Sequence, residues 1–330
     1  MTPAPPFGLN ALNTRFGDDF EPLAIDLFRF QHAHNPLYRE FTDALGIRPA
    51  AVGRIEDIPF LPVGFFKTHE IRTGSFVPET VFESSGTTGI VTSRHLVRDV
   101  GLYRQSFRAG FEEFYGPVRE WCIIGLLPAY LERSNSSLVY MVHELIGESG
   151  HAESGFYLYD HEKLFAVLQQ MEAAGQKTLL IGVTFALLDF AERYSLSLKH
   201  TVVMETGGMK GRRREITREE LHHILRERLG VKAVHAEYGM TELLSQAYSA
   251  GEGVFRCPGW MKVMVRSEDD PLEVRREGEG LINVIDLANI WSCAFLATED
   301  IGVLEADGSF RVAGRVDHSD VRGCSLLVAS

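Results

Sequence analysis

The 330-residue chain has little cysteine, no basic excess and no long apolar run, and each lack narrows what it can be. Lysine and arginine number 33 against 45 acidic residues, a formal net charge of −12. That balance offers nothing to neutralise a phosphate backbone, so no nucleic-acid partner is expected. Adsorption to an anionic membrane is disfavoured for the same reason. The four cysteines, Cys122, Cys257, Cys293 and Cys324, contain no C-x-x-C pair, which argues against a disulfide framework and a structural zinc site. The opening MTPAPPFGLN has neither a basic n-region nor an apolar h-region, and no apolar stretch approaches the length of a bilayer span. The expected compartment is the cytoplasm. Internal repeats are lacking, as is low complexity beyond the Pro-rich start.

What is present is a large core: 45% of residues are hydrophobic, enough for one big domain or two ordinary ones. Residues 1–15 are expected to fray. A short helix is expected from Phe20 to about Phe30, and Pro59–Lys67, with two prolines, reads as extended chain or loop. Val81-Phe82-Glu83 reads as a strand. Tyr103, Phe107, Phe111 and Phe114 then recur at helical spacing. Further on, strands (Trp121–Leu127, Thr178–Val183, Thr201–Thr206, Val231–His235) alternate with helices around Leu164–Met171, Phe185–Tyr194 and Thr217–Leu229. Thr217, with Glu220 three residues on, caps the last of these. The alternation predicts an α/β domain with a largely parallel sheet over residues 16–250. In residues 251–330, short β-like runs (Met261–Val265, Leu281–Ile285, Phe310–Val312) between acidic, Gly-bearing turns predict a β-rich subdomain of the same body.

Three short motifs carry chemistry. Ser84-Ser85-Gly86-Thr87-Thr88-Gly89 follows a strand; its glycines let a ligand approach the backbone, while hydroxyls and consecutive amides suit phosphate oxygens. It lacks the GKS/T ending of a Walker A loop and, alone, is equally readable as a surface turn. Glu237-Tyr238-Gly239-Met240-Thr241-Glu242 follows another strand: a Thr hydroxyl can bond a phosphate, a Glu can hold Mg²⁺, and a Tyr face can take a purine. Thr298-Glu299-Asp300-Ile301-Gly302, with Gly314-Arg315-Val316-Asp317 downstream, offers an Asp at the end of a strand for ribose hydroxyls and an Arg for phosphate.

In this order and at these separations, the three motifs make the chain resemble the adenylate-forming superfamily of acyl and aryl ligases. Its LuxE-type acyl-protein synthetase branch, related to phenylacetate–CoA ligase, is the narrower likeness. Val63-Gly64-Phe65-Phe66-Lys67, Leu127–Arg133 with Ser136–Met141, Gly207-Gly208-Met209-Lys210-Gly211 and Ser319–Leu326 support it, so the resemblance runs from about residue 55 to the C-terminus.

The resemblance implies a large N-terminal adenylate-forming domain of mostly parallel sheets flanked by helices, with a β-rich C-terminal subdomain. It also implies ATP-dependent activation of a fatty or aryl carboxylic acid to acyl-AMP, with Mg²⁺, and transfer of the acyl group to a thiol. On matching positions, Ser84, Ser85, Gly86, Thr87, Thr88 and Gly89 would grip phosphates, and Gly207 and Gly208 would border the adenine. Tyr238, beside Gly239, would stack on the base. Thr241 would touch the α-phosphate, Glu242 would bind Mg²⁺, Asp300 would hold ribose, and Arg315 would approach phosphate or ribose. Cys324 would accept the acyl group, with Arg322 lowering its pKa; a small residue in a closing strand is the plainer reading of the same thiol.

Relatives continue with a lid domain carrying a catalytic Lys, whereas about a dozen residues follow Asp317 here. The lid is therefore expected to be absent, with Lys67 or Lys210 as replacement cation. His222 and His223 read as partly exposed helix residues, while His235 and His143 are candidates for an acyl pocket. Two other functions fit the residues: an acyl- or aryl-CoA ligase-like acyltransferase using CoA or a carrier protein, and a non-catalytic nucleotide- or acyl-binding subunit.

Overall fold

The computed structural model describes residues 4–7, 19–84, 91–127, 135–207 and 216–316. It begins with two helices, α1 (Phe20–His34) and α2 (Pro36–Ala44), divided at Asn35. The Asn35 backbone N–H donates to Gln31 O at 2.7 Å, and its side chain caps α2 by accepting from Tyr38 N at 3.1 Å. The Pro-bearing stretch that follows is extended at β1 (Leu61–Pro62), as its prolines require. Once past them it closes into a helical turn, α3 (Phe65–Thr68), which the sequence reading did not anticipate. A hairpin of β2 (Thr80–Glu83) and β3 (Arg94–Val97) leads into α4 (Val100–Tyr115).

The middle of the chain alternates as expected, with α5 and β5 added to the elements read from sequence: β4 (Cys122–Leu126), α5 (Ser137–Ser149), β5 (Gly155–Phe156), α6 (His161–Ala174), β6 (Thr178–Gly182), α7 (Thr184–Arg193), β7 (Thr201–Glu205), α8 (Arg218–Leu229) and β8 (Val234–Tyr238). The strands pair in parallel in the order β5-β4-β6-β7-β8. All five residues of β4 and of β6 are buried, because helices cover both faces of the sheet. Alternate residues feed two cores. Ile123, Leu179, Met204 and Ala236 face one, while Ile124, Leu180, Val203 and Val234 face the other. Thr217 caps α8 by accepting from Glu220 N at 3.1 Å. Gly230 ends that helix at φ 64°, where a Cβ would stand 2.8 Å from Leu196 O. This helix stop consumes residues assigned to strand by sequence. β8 therefore starts at Val234 and carries Glu237 and Tyr238 inside the sheet, not in the turn after it.

Beyond β8 the chain runs antiparallel: β9 (Ala247–Ser249), β10 (Phe255–Arg256), β11 (Met261–Arg266), β12 (Val274–Arg275), β13 (Gly278–Asp286), β14 (Phe295–Leu304) and β15 (Phe310–Arg315). These continue the same sheet as β12-β11-β13-β14-β15-β10-β9-β8, with β1 added along β14. The first helices pack against this antiparallel part. Gln31 donates to Asn289 O and Ile290 O at 2.9 Å and accepts from Ala294 N at 2.9 Å, and Tyr38 stacks on Phe295 at 6.1 Å. Among the described residues no helix is long and apolar enough to cross a membrane.

Candidate active site

The described candidate residues gather near the carboxyl ends of the parallel strands, the edge where open α/β sheets bind ligands. After β7 the chain turns at Gly207 (φ 73°), whose N–H donates to Glu205 Oε2 at 2.7 Å. Glu205 is buried, which would raise its pKa. His222, Arg218 (Nε–Oε1 3.1 Å) and the Gly207 N–H outweigh that and hold it below the usual carboxylate range. His222 is thus buried at 7% exposure, 3.8 Å from Glu205, where the sequence suggested partial exposure; its neighbour His223 faces solvent. The helical period sends adjacent residues to different sides of α8.

After β8 the turn carrying Thr241 and Glu242 is pinned from outside. His95 on β3 donates from Nδ1 to Thr241 O at 2.8 Å; a carbonyl only accepts, so the proton sits on Nδ1. Burial pushes His95 down to about 4 and keeps it neutral. Asn289 Nδ2 donates to Glu242 O at 2.8 Å. Asp286, fully buried, accepts from Leu244 N at 2.8 Å, Ser245 Oγ at 2.6 Å and Ala288 N at 3.1 Å. Glu242 is 7% exposed. Burial raises its pKa, and the Ser93 hydroxyl, Arg315 and Lys67 partly offset the rise. Lys67 is an exposed residue of α3.

Asp300 lies within β14, not at a strand end, beside the register irregularity at Ile301/Gly302 and directly opposite Arg315. Arg315 Nε stands 3.2 Å from Asp300 Oδ1, and Tyr238 OH donates to Asp300 Oδ2 at 2.8 Å. Four strand spacings separate β8 from β14, about 19 Å in a flat sheet. The 2.8 Å contact therefore requires the sheet to curl over on itself, with Tyr238 edge-on to Phe310 at 5.4 Å inside the fold. The base of the first motif is likewise fixed: Ser84 N donates to Ser93 O at 3.0 Å, and Ser93 N donates to Ser84 Oγ at 2.9 Å.

Ser84, Gly207, Tyr238, Gly239, Thr241, Glu242, Asp300 and Arg315 are all described. Ser85, Gly86, Thr87, Thr88, Gly89, Gly208, Lys210, Arg322 and Cys324 lie outside the described residues. Burial holds the thiols of Cys122, Cys257 and Cys293 at about 11, 12 and 12, so none of these three is a ready thiolate. His235 is half-buried, 3.2 Å from Tyr115 OH. His143 lies exposed on α5, lining a cleft of about 700 Å³ between α4 and α5. His95, Asp286 and Asn289 were not singled out from sequence. The one available signal was Asp286, an acid closing the apolar run LINVID.

Residues 18–330 match the family model described as acyl-protein synthetase, LuxE. Among curated proteins none matches the sequence. Among solved structures, ATP-bound MatB from Rhodopseudomonas palustris aligns with a TM-score of 0.54 at 16% identity, covering 71% of this chain and 47% of that one. A 2-hydroxyisobutyryl-CoA ligase in complex with 2-HIB-AMP and CoA aligns with a TM-score of 0.64 at 12% identity, covering 91% and 69%. At such identities the likeness is one of fold: the mixed α/β fold of adenylate-forming enzymes. The chain spans about half the length of the MatB structure.

Proposed function

The chain belongs to the LuxE acyl-protein synthetase family, and from that premise we propose that it activates a carboxylic acid with ATP and passes the acyl group to a thiol. The observation that carries this reading is the convergence of the pinned Thr241–Glu242 turn with the Tyr238–Asp300–Arg315 cluster at the carboxyl edge of the parallel strands. In the first step a substrate carboxylate oxygen attacks the α-phosphorus of ATP. The bond to the bridging oxygen of the β-phosphate breaks, and pyrophosphate leaves with the electron pair. In the second a thiolate attacks the acyl carbon, and AMP leaves.

Each residue has a part that suits its surroundings. Ser84–Gly89 grips phosphate oxygens, and Ser84 is held at the base of that loop by Ser93. Gly207 and Gly208 border the purine together with the remaining exposed part of Tyr238, beside Gly239. Asp300, oriented by the Tyr238 hydroxyl, accepts from the ribose, and Arg315, 56% exposed, meets phosphate. Thr241 donates to the α-phosphate.

Glu242 suits Mg²⁺: it is a buried carboxylate with no ion pair within 4.0 Å among the described residues, and Mg²⁺ is commonly held by one or two carboxylates plus substrate phosphates. When bound, Mg²⁺ neutralises phosphate charge there. Lys67, whose charge already favours ionised Glu242, is the described candidate for a further cation, with Lys210 the other. Cys324 on the chain, or CoA or a carrier protein, supplies the thiol; the raised pKa of the other three cysteines favours these. A cytoplasmic setting suits such chemistry.

The test is pyrophosphate release with ATP, Mg²⁺ and a panel of carboxylic acids. Acid-dependent release is expected, and no release with any acid contradicts the reading. Intact mass then reports an acyl adduct, expected to vanish in Cys324→Ala; an adduct that survives removes Cys324 as carrier.

A further inference from the structure

Glu237 has no part in the chemistry above, yet it stands one residue before Tyr238 on the opposite side of β8. It lies directly across the ladder from Tyr248, in register. Tyr248 packs against Phe114 at 5.3 Å and Tyr115 at 5.5 Å, so this side of the sheet faces α4. A Cβ on Gly239 would collide with Glu237 Oε1 and meet Gln246 Cγ at 3.4 Å, so both polar side chains converge over that glycine. Gly239 itself is exposed and Glu237 half-buried, so the convergence reaches the surface.

Three groups here lack partners among the described residues. Tyr248 OH, on a residue 3% exposed, and Gln246 Oε1, on a residue 5% exposed, are buried without a hydrogen bond. The Glu237 carboxyl has no hydrogen bond or ion pair; burial, together with the Glu205 charge, pushes it up to about 8. Buried polar groups are normally paired, and an unpaired one costs stability unless a ligand completes it. Gln246 Oε1 can only accept, and the Glu237 carboxyl and the Tyr248 hydroxyl can accept as well. Three residues lie between Glu237 and Thr241, so at most about 14 Å of extended chain separates this cluster from an acid carboxylate placed at Thr241.

We infer that the acid taken by this chain carries a hydrogen-bond donor, an amino or hydroxyl group, received by Glu237, Gln246 and Tyr248 on the α4 side of β8; this rests on the adenylation reading. A plain alkyl acid entering here would bury the three groups still unpaired. The donor-bearing acid pairs them.

The experiment compares an unsubstituted six-carbon acid with its hydroxy and amino analogues, substituted at successive carbons, by pyrophosphate release. The best donor-bearing acid is expected to exceed its parent roughly tenfold to a hundredfold in kcat/KM, the worth of one buried group paired or left unpaired. Glu237→Leu abolishes that preference. Glu237→Gln, which keeps the shape should Leu fail to fold, retains it for hydroxyl and loses it for amino. A parent acid used as well as every analogue, or a preference unchanged in both variants, overturns the inference while leaving adenylation standing. Where no acid releases pyrophosphate, adenylation fails, and thermal shift without nucleotide decides the subsite. Stabilisation by the analogues alone supports it, and equal or absent shifts overturn it.

Discussion

The two sides of β8 are built to opposite rules. On one, the groups that hold the site are paired: Tyr238 donates to Asp300, and Arg315 stands 3.2 Å from the other Asp300 oxygen. The turn that follows is tied down by His95, Asn289 and Asp286. On the other, the Glu237 carboxyl, Gln246 Oε1 and Tyr248 OH lie close to one another without partners among the described residues. The paired side is a frame set before any ligand arrives, as phosphoryl chemistry demands of groups that position and stabilise charge. The unpaired side is where a ligand would gain most.

The largest way to break this contrast is to unmake the frame. Asp286→Ala leaves Leu244 N, Ser245 Oγ and Ala288 N without their shared acceptor inside the fold, and is expected to cost about 3–5 kcal/mol in urea unfolding. A loss below about 1 kcal/mol would show that the turn is held by something else.

Next comes His95. Its ordinary value of 6.5 falls to about 4 in the fold, so on acidification the unfolded chain binds a proton first. The stability it lends is complete above pH 6.5 and is lost between about 6.5 and 4, with no further loss below. The loss amounts to about 3 kcal/mol. His95→Gln, which can still donate to Thr241 O, is expected to flatten that part of the pH–stability curve. An unchanged slope would deny His95 its place in the frame.

The smallest effect probes the unpaired side. Glu237 moves the other way, from 4.5 up to about 8, so the folded chain keeps its proton longer and stability falls as pH rises through that window. Glu237→Gln removes the fall. It is expected to match the parent near pH 5 and exceed it by about 1–2 kcal/mol at pH 9, a figure reduced for partial exposure. Equal stability at both pH values would mean that the carboxyl is well solvated.

Legibility in the sequence divides along similar lines. β4, β6, β7 and the helices α6, α7 and α8 could be read because period and capping are local: Thr217, Glu220 and the apolar face of α8 say where that helix starts and what it covers. The three motifs could be read because each is contiguous. The frame could not, since His95 meets Thr241 across 146 positions and nothing near either residue announces the other. Asp300 was read as a strand-end residue because acidic, glycine-bearing text resembles a turn. Its place inside β14 depends on the irregularity at Ile301/Gly302 and on the curl of the whole sheet. The shift of β8 to Val234–Tyr238 had a local cause, the Gly230 helix stop, whose extent is set by the packing against Leu196.

The most direct test of the central claim is acid-dependent ATP–pyrophosphate exchange by the full chain, run beside Asp300→Ala. The account predicts exchange only when a suitable acid is present, with the variant needing roughly tenfold or more ATP to reach half-maximal rate. Exchange absent with every acid, or an ATP dependence indifferent to Asp300, would contradict it.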